Sequence, residues 1–287
     1  PAPPLQMAGS INGDPILLRF DPWFAGAVSE LRFRGKSYVN AADHGRLIQS
    51  AVSFDGWGEC LNPTEAGSVA DGRQRRTTSI LLSARVEGAS AQMRTRMAYW
   101  MPPGAGHRVN PKDLQVRSSA QPCREDGRFP EATRARNGTA VSDVVLDKRI
   151  ALRKPNMLVF DVGFELPRAY RQAMFEALTA YLEPEFDRFY AFERKSGSLL
   201  PVKPQLGGAR PLVVATRDGK HALGITSGRS DLLFAAFRWP DTSKLNCFAP
   251  KEPAKAGKHR FSCTILVGTL EEVRSSLVRL HAARDGS

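Results

Sequence analysis

Apolar residues in this chain recur at intervals of two, in short runs cut by turn residues, and one segment alone keeps convincing helical spacing. A period of two puts alternate side chains on opposite faces of a strand, so such runs build sheets with one face on a core and the other in water. Ile16 to Phe20, Val28 to Phe33, Leu47 to Phe54, Thr78 to Val86 and Gln92 to Trp100 read as strands in the first part of the chain. Asp143 to Arg153 and Asn156 to Leu166 form a hairpin pattern about Lys154-Pro155-Asn156, and Met157 to Phe164 is the clearest buried strand. Pro211 to Thr216, His221 to Thr226, Leu232 to Arg238 and Arg260 to Gly268 follow, with Arg217-Asp218-Gly219-Lys220 as a hairpin turn. Ala169 to Glu193 is rich in helix formers, but Phe175 to Leu182 alternates in part and its neighbours are strands, which favours strand there.

The helical segment is Leu270 to Ala283. Thr269 stands at its N-cap with Glu272 three residues on, a capping box, and Leu270, Val273, Leu277 and Leu280 share one face. Many short strands and a single terminal helix give an all-β class: a large antiparallel β-sandwich with one C-terminal helix. The 287 residues exceed a simple seven-stranded sandwich, and no propeller-type repeat is present. Residues 1–14, proline-rich at the start, are expected as an N-terminal tail and 15–287 as a single β-sandwich domain. The stretch 101–139, rich in Pro, Gly, Arg and Asn, is long for a connection and is expected to be a functional loop or a short-strand insert.

Charge narrows the partners. The net charge is +12, but the basic residues are scattered, without a basic helix, an aromatic RNA-binding motif or a zinc finger, so nucleic acid is not expected. A solvated basic surface or an anionic glycan accounts for the excess. No apolar run approaches the roughly 20 residues of a membrane-spanning helix. The four cysteines, Cys60, Cys123, Cys247 and Cys263, suit either two disulfides or four buried thiols, and with no CxxC pair they do not suggest structural zinc. Because the chain opens on Pro1, a mature form released from an export signal is expected, placing it as secreted or periplasmic. Phosphate-binding, dinucleotide-binding, zinc-protease and nucleophile-elbow signatures are absent. No cofactor is called for, although scattered Asp and Glu leave room for a calcium ion.

One stretch, Asn40 to Asp71, concentrates acids, amides, His and Trp beyond what a strand and turn require. Glycoside hydrolysis needs a carboxylic acid and a second carboxylate near one bond, and Glu59 and Glu65 are the preferred catalytic pair. Gly56 and Gly58 leave space beside Trp57, whose ring can stack on a sugar. Asp43 and His44 form a second candidate pair for proton transfer, provided that Gly45 bends the chain; otherwise alternation sends them to opposite faces. Arg46, Gln49 and Asn62 are candidates for holding sugar hydroxyls or a carboxylate. Tyr181 lies in a later polar and aromatic cluster with Tyr190, Glu183, Glu185 and Asp187, and can serve in substrate binding or in β-elimination from a uronic acid. Each has a plainer reading: a solvated loop acid, a turn cap, a satisfied buried histidine, an ion-pair arginine, or an aromatic core.

Three pieces of the chain, ELRFRGKSYVNAADHGRLIQSA, GECLNPTEAG and KHALGITS, resemble carbohydrate-active proteins of the galactose-mutarotase-like supersandwich type. The resemblance implies a large β-sandwich with a glycan-binding concave face, used by epimerases, glycoside hydrolases and polysaccharide lyases. The separated catalytic histidines and glutamate of mutarotases find no matching positions, which argues against mutarotation. The expectation is therefore a glycoside hydrolase acting on an oligo- or polysaccharide. A lyase on an anionic glycan and a non-catalytic glycan-binding protein are the alternatives.

Overall fold

The computed structural model describes residues 3–55, 58–101, 139–204 and 207–285. β1 (Leu5–Ile11), β2 (Asp14–Phe20), β3 (Glu30–Phe33) and β4 (Lys36–Ser37) form a small antiparallel sheet in that order. The main sheet draws on β5 (Ile48–Phe54), β6 (Pro63–Thr64), β7 (Ile80–Glu87), β8 (Ser90–Tyr99), β9 (Val141–Arg153), β10 (Met157–Leu166), β11 (Tyr170–Leu182) and β12 (Arg188–Glu193). It continues with β13 (Ser198–Pro201), β14 (Leu212–Ala215), β15 (Ala222–Thr226), β16 (Leu233–Trp239), β17 (Thr242–Phe248), β18 (Glu252–Ala254) and β19 (Gly257–Gly268). Its order is β13-β12-β14-β15-β19-β10-β9-β8-β6-β5-β11-β17-β16, with β7 on β8 and β18 on β11. The class is all-β, with one α-helix among the described residues, α1 (Leu270–Asp285).

The long sheet folds over so that β10 and β19 face β11 and β17 across a shared core. The Phe175 ring on β11 lies 5.2 Å from Phe164 on β10 and 5.0 Å from Phe261 on β19. A disulfide between Cys247 on β17 and Cys263 on β19 joins the two layers. Period-two alternation builds this core: Val144, Leu146 and Ile150 on β9 and Leu158, Phe160, Val162 and Phe164 on β10 all point inward. Each large side chain so buried is worth about 1.5–3 kcal/mol over leaving it in water.

Two seven-residue strands depart from the sequence expectation, besides the shorter β6, β13 and β18. Leu5–Ile11, expected within a tail, is β1, paired with β2 from Leu5↔Phe20 to Ile11↔Asp14. The turn between them is Asn12-Gly13, both at positive φ, which is a strong hairpin signal masked by the proline-rich start. Thr242–Phe248, read as no strand at all, is β17, and it pairs with both β11 and β16. The insert expected over 101–139, with Cys123, lies almost wholly outside the described residues.

α1 starts as its capping box requires: Glu272 N–H donates to Thr269 Oγ1 at 3.1 Å, and Thr269 N–H donates to the Glu272 carboxylate at 2.7 Å. Val273 and Leu277 are buried against Val213, Ala222 and Leu266. Val273 sits so close to Gly224 that a Cβ there would meet its Cγ1 at 2.7 Å. Arg34 bonds both oxygens of Glu272, each at 2.9 Å, and also Asp14, tying the small sheet to the helix start. Burial opposes the charge on Glu272, but Arg34 and the Thr269 amide outweigh it and hold its carboxyl at about 2, below the ordinary 4.5. A carboxyl depressed by folding stabilises the fold above its unfolded value and loses that contribution as pH falls through the folded one. Glu272→Gln is therefore expected to flatten the loss of unfolding free energy between about pH 4.5 and pH 2, measured by denaturant titration across that range.

Candidate functional site

β11 holds one residue more than both of its neighbours. Against β17, Glu176 pairs with Phe248 and Leu178 with Cys247; against β5, Glu176 pairs with Ala51 and Thr179 with Gln49. This is a β-bulge, with Ala177 and Leu178 both buried on the core side. Its consequence is chemical. In a regular strand Glu176 and Tyr181, five residues apart, would face opposite ways; the extra residue brings both to the outer face. Tyr181 then stands opposite Lys244 and Thr179 opposite Asn246, so Glu176, Tyr181, Lys244 and Asn246 share one surface.

On that surface Lys244 Nζ donates to Glu176 Oε1 at 3.1 Å, and the Asn246 side-chain amide donates to the same oxygen. Lys244 also lies over the Tyr181 ring, 5.2 Å from its centre, and over Phe237, 5.4 Å from its centre. Burial works against the Lys244 charge, yet Glu176 and Tyr181 more than compensate and raise its pKa. Burial pushes the Tyr181 phenol up, with Glu176 and Glu59 adding to the rise and Lys244 opposing it. Trp239, at the end of β16, is 41% exposed and stacks beside Phe237 at 5.6 Å and Tyr181 at 6.2 Å, making an aromatic shelf at the rim. Asn246 Oδ1 is buried without a partner among the described residues, so it is available to a hydroxyl donor.

The sequence candidates fall in different places. Glu59 lies half-buried on the short 3-10 turn Gly58–Leu61, near enough to Tyr181 for its charge to act on the phenol. Glu65 does not join it at an open cleft: it is 0% exposed, bonded to Lys148 on the core face of β9 and to Ser50 N–H at 2.9 Å. Lys148 also donates to Gly26 O at 2.8 Å. Burial pushes the Glu65 carboxyl up and the Lys148 ammonium down, each pulled back by the other. A carboxylate sealed in this way cannot touch a polysaccharide, so the pairing of Glu65 with Glu59 is corrected.

Asp43 caps the turn, accepting from Gly45 N–H at 2.9 Å. His44 is fully buried, its ring nitrogens 2.7 Å from Gly72 O and 2.9 Å from Trp23 O. The two do not form a proton-transfer pair. Arg46 holds Asp241 at 2.6 Å, and Asn40 bonds Asp241 O, so both brace the tip of the β16–β17 hairpin beside Trp239. Gln49 is buried and crosslinks His44 O, Arg46 O and Ala66 N, a framework role. Asn62 Oδ1 is buried without a partner among the described residues. Trp57 lies outside the described residues. Sequence reasoning missed Glu176, Lys244, Asn246, Phe237 and Trp239. The alternation Lys244-Leu245-Asn246-Cys247 was the available sign of their strand.

No group of three or more His, Cys, Asp or Glu suited to a metal ion occurs among the described residues. No described helix is long and apolar enough to cross a membrane. No family model matches this sequence, and no curated protein does. Among solved structures, the chain is similar to a putative aldose 1-epimerase from Escherichia coli K12 (TM-score 0.47, 7% identity, 93% of this chain and 100% of that one). It is similar to an alpha-galactosidase from Lactobacillus brevis (TM-score 0.46, 10% identity, 93% and 40%). It is also similar to the heparan sulfate lyase HepC from Pedobacter heparinus (TM-score 0.43, 8% identity, 93% and 35%). At these values the likeness is one of outline, and the chemistry of this chain has to come from its own side chains.

The buried pair makes a distinct prediction. Lys148→Met leaves Glu65 sealed without a counter-charge and is expected to cost about 3–5 kcal/mol, whereas the double variant Glu65→Leu/Lys148→Met regains most of that loss in urea unfolding. Equal losses in the single and double variants would contradict the pairing.

Proposed function

We propose that this protein acts on carbohydrate at the outer face of β11, β16 and β17, and that its reaction is hydrolysis of a glycosidic bond. One observation carries the reading: Glu176 and Tyr181 share an outer face with the exposed Trp239 indole, and Glu59 stands near enough for its charge to reach the Tyr181 hydroxyl. Trp239 offers a flat apolar face to a sugar ring. Asn246 Oδ1 accepts from a sugar hydroxyl. Glu176, oriented by Lys244 and Asn246, is the candidate base or nucleophile, and Glu59 on its turn is the candidate acid. Tyr181 donates to the substrate. The Cys247–Cys263 disulfide supports a secreted or periplasmic setting.

A second reading, glycan binding without turnover, is favoured by the engagement of Glu176 in an ion pair with Lys244. A panel of oligosaccharides, with products read by mass, separates the two. Under the hydrolase reading Glu59→Gln and Glu176→Gln each lower kcat about a hundredfold or more, while Trp239→Ala mainly raises KM. Sugar bound across the panel with no water-added product would replace hydrolysis with binding alone. A product carrying a new ultraviolet-absorbing double bond would point to elimination.

A further inference from the structure

A second groove, of about 890 Å³, lies on the other layer of the sandwich, across the outward faces of β7, β8, β9, β10 and β19. Cross-strand register sets its floor in two rows. Gln92, Arg149, Asp161 and Ser262 lie side by side in one row, and Arg94, Asp147, Gly163 and Arg260 in the next. Gly163 leaves a gap in a surface otherwise made of long polar side chains: a Cβ there would meet nothing closer than 3.9 Å.

The acids of the groove are already engaged. Asp147 takes Arg94 at 3.3 Å and Lys258 at 3.6 Å, and Asp161 accepts the Ser262 hydroxyl at 2.7 Å. Arg229, at one end, is paired with Asp231. Arg149 and Arg260 have no acidic partner among the described residues; Arg149 meets only the Ser90 hydroxyl at 3.5 Å. They stand two strands apart, about 10 Å across the sheet, on either side of the strip that Gly163 opens. Asp161 neighbours Arg149 in its row, yet neither guanidinium has a described carboxylate within ion-pair distance, and two such forks on one face are matched to a pair of anionic groups, each able to take two parallel hydrogen bonds.

We infer that this groove is a second glycan-binding site, for a chain bearing sulfate or carboxylate groups, with Arg149 and Arg260 gripping successive anions over Gly163. The choice of a glycan as ligand rests on the carbohydrate reading above; the anionic class comes from the groove itself. A nucleic-acid strand would want an aromatic platform for its bases. Phe261, among the residues lining the groove, is 9% exposed, with its ring packed on Phe175 in the core and the Arg229 guanidinium 5.5 Å from its centre.

Dextran sulfate titrated by calorimetry, with neutral dextran and a single-stranded oligonucleotide of similar length as comparisons, tests the assignment. Wild-type protein is expected to bind dextran sulfate in a salt-sensitive manner and to bind the other two far more weakly. Arg149→Glu/Arg260→Glu, at exposed positions, weakens it about tenfold or more, and Gly163→Val, which fills the floor without altering charge, weakens it as well. Trp239→Ala, on the opposite layer, binds dextran sulfate as wild type does. Wild-type affinity in the arginine pair, equal binding of the oligonucleotide, or loss of binding in Trp239→Ala would each overturn the inference. The last result would place the anionic chain at the Tyr181 face and leave the hydrolase reading standing.

Discussion

A strand exposes alternate side chains to opposite sides, and one extra residue reverses that assignment beyond it. The bulge at Ala177 and Leu178 is where this chain uses the rule. It lets β11 send Phe175, Leu178 and Ala180 into the core while Glu176 and Tyr181 both face outward. Without it, either Glu176 would be driven into an apolar interior or the register with β5 and β17 would break. The polar surface at Glu176, Lys244 and Asn246 depends on that local exception within an otherwise regular sheet.

The support around the surface follows the same economy. Asn40 and Arg46 hold the backbone and carboxylate of Asp241, fixing the hairpin that carries Trp239. Below it, Gln49 binds its turn to the chain at Ala66. The Cys247–Cys263 disulfide roots β17 in the opposite layer one residue from Asn246. The two layers share a core yet present different outer faces. One combines an aromatic shelf with a buried charge pair, and the other is an open polar groove with guanidinium groups to spare.

Much of this architecture was legible in the sequence because burial on one face writes itself as alternation. The hairpin about Lys154-Pro155-Asn156 and the strand character of Phe175 to Leu182 follow from it, and the terminal helix from its capping box and the three-to-four-residue spacing of its apolar face. β1 was hidden by its proline-rich approach, and β17 by the polar Thr242, Ser243, Lys244 and Asn246 along it. The site was harder to read. The density of Asn40 to Asp71 marked a real structural knot, but a buried histidine between two carbonyls, a sealed Glu65 and a framework Gln49 have the same composition as a cleft. Composition does not say which side chains reach water. Glu176 was concealed for a sharper reason: its face depends on a bulge, and nothing in Phe175-Glu176-Ala177-Leu178 announces one.

The surface proposed to meet sugar is the outer face of β11, β16 and β17. A crystal structure of the protein with a bound oligosaccharide tests it most directly. The expected complex has a sugar ring stacked on Trp239, a hydroxyl within hydrogen-bond distance of Asn246 Oδ1, and the glycosidic oxygen between Glu59 and Glu176. An oligosaccharide ordered elsewhere on the protein, with Tyr181 and Glu176 untouched, would contradict it.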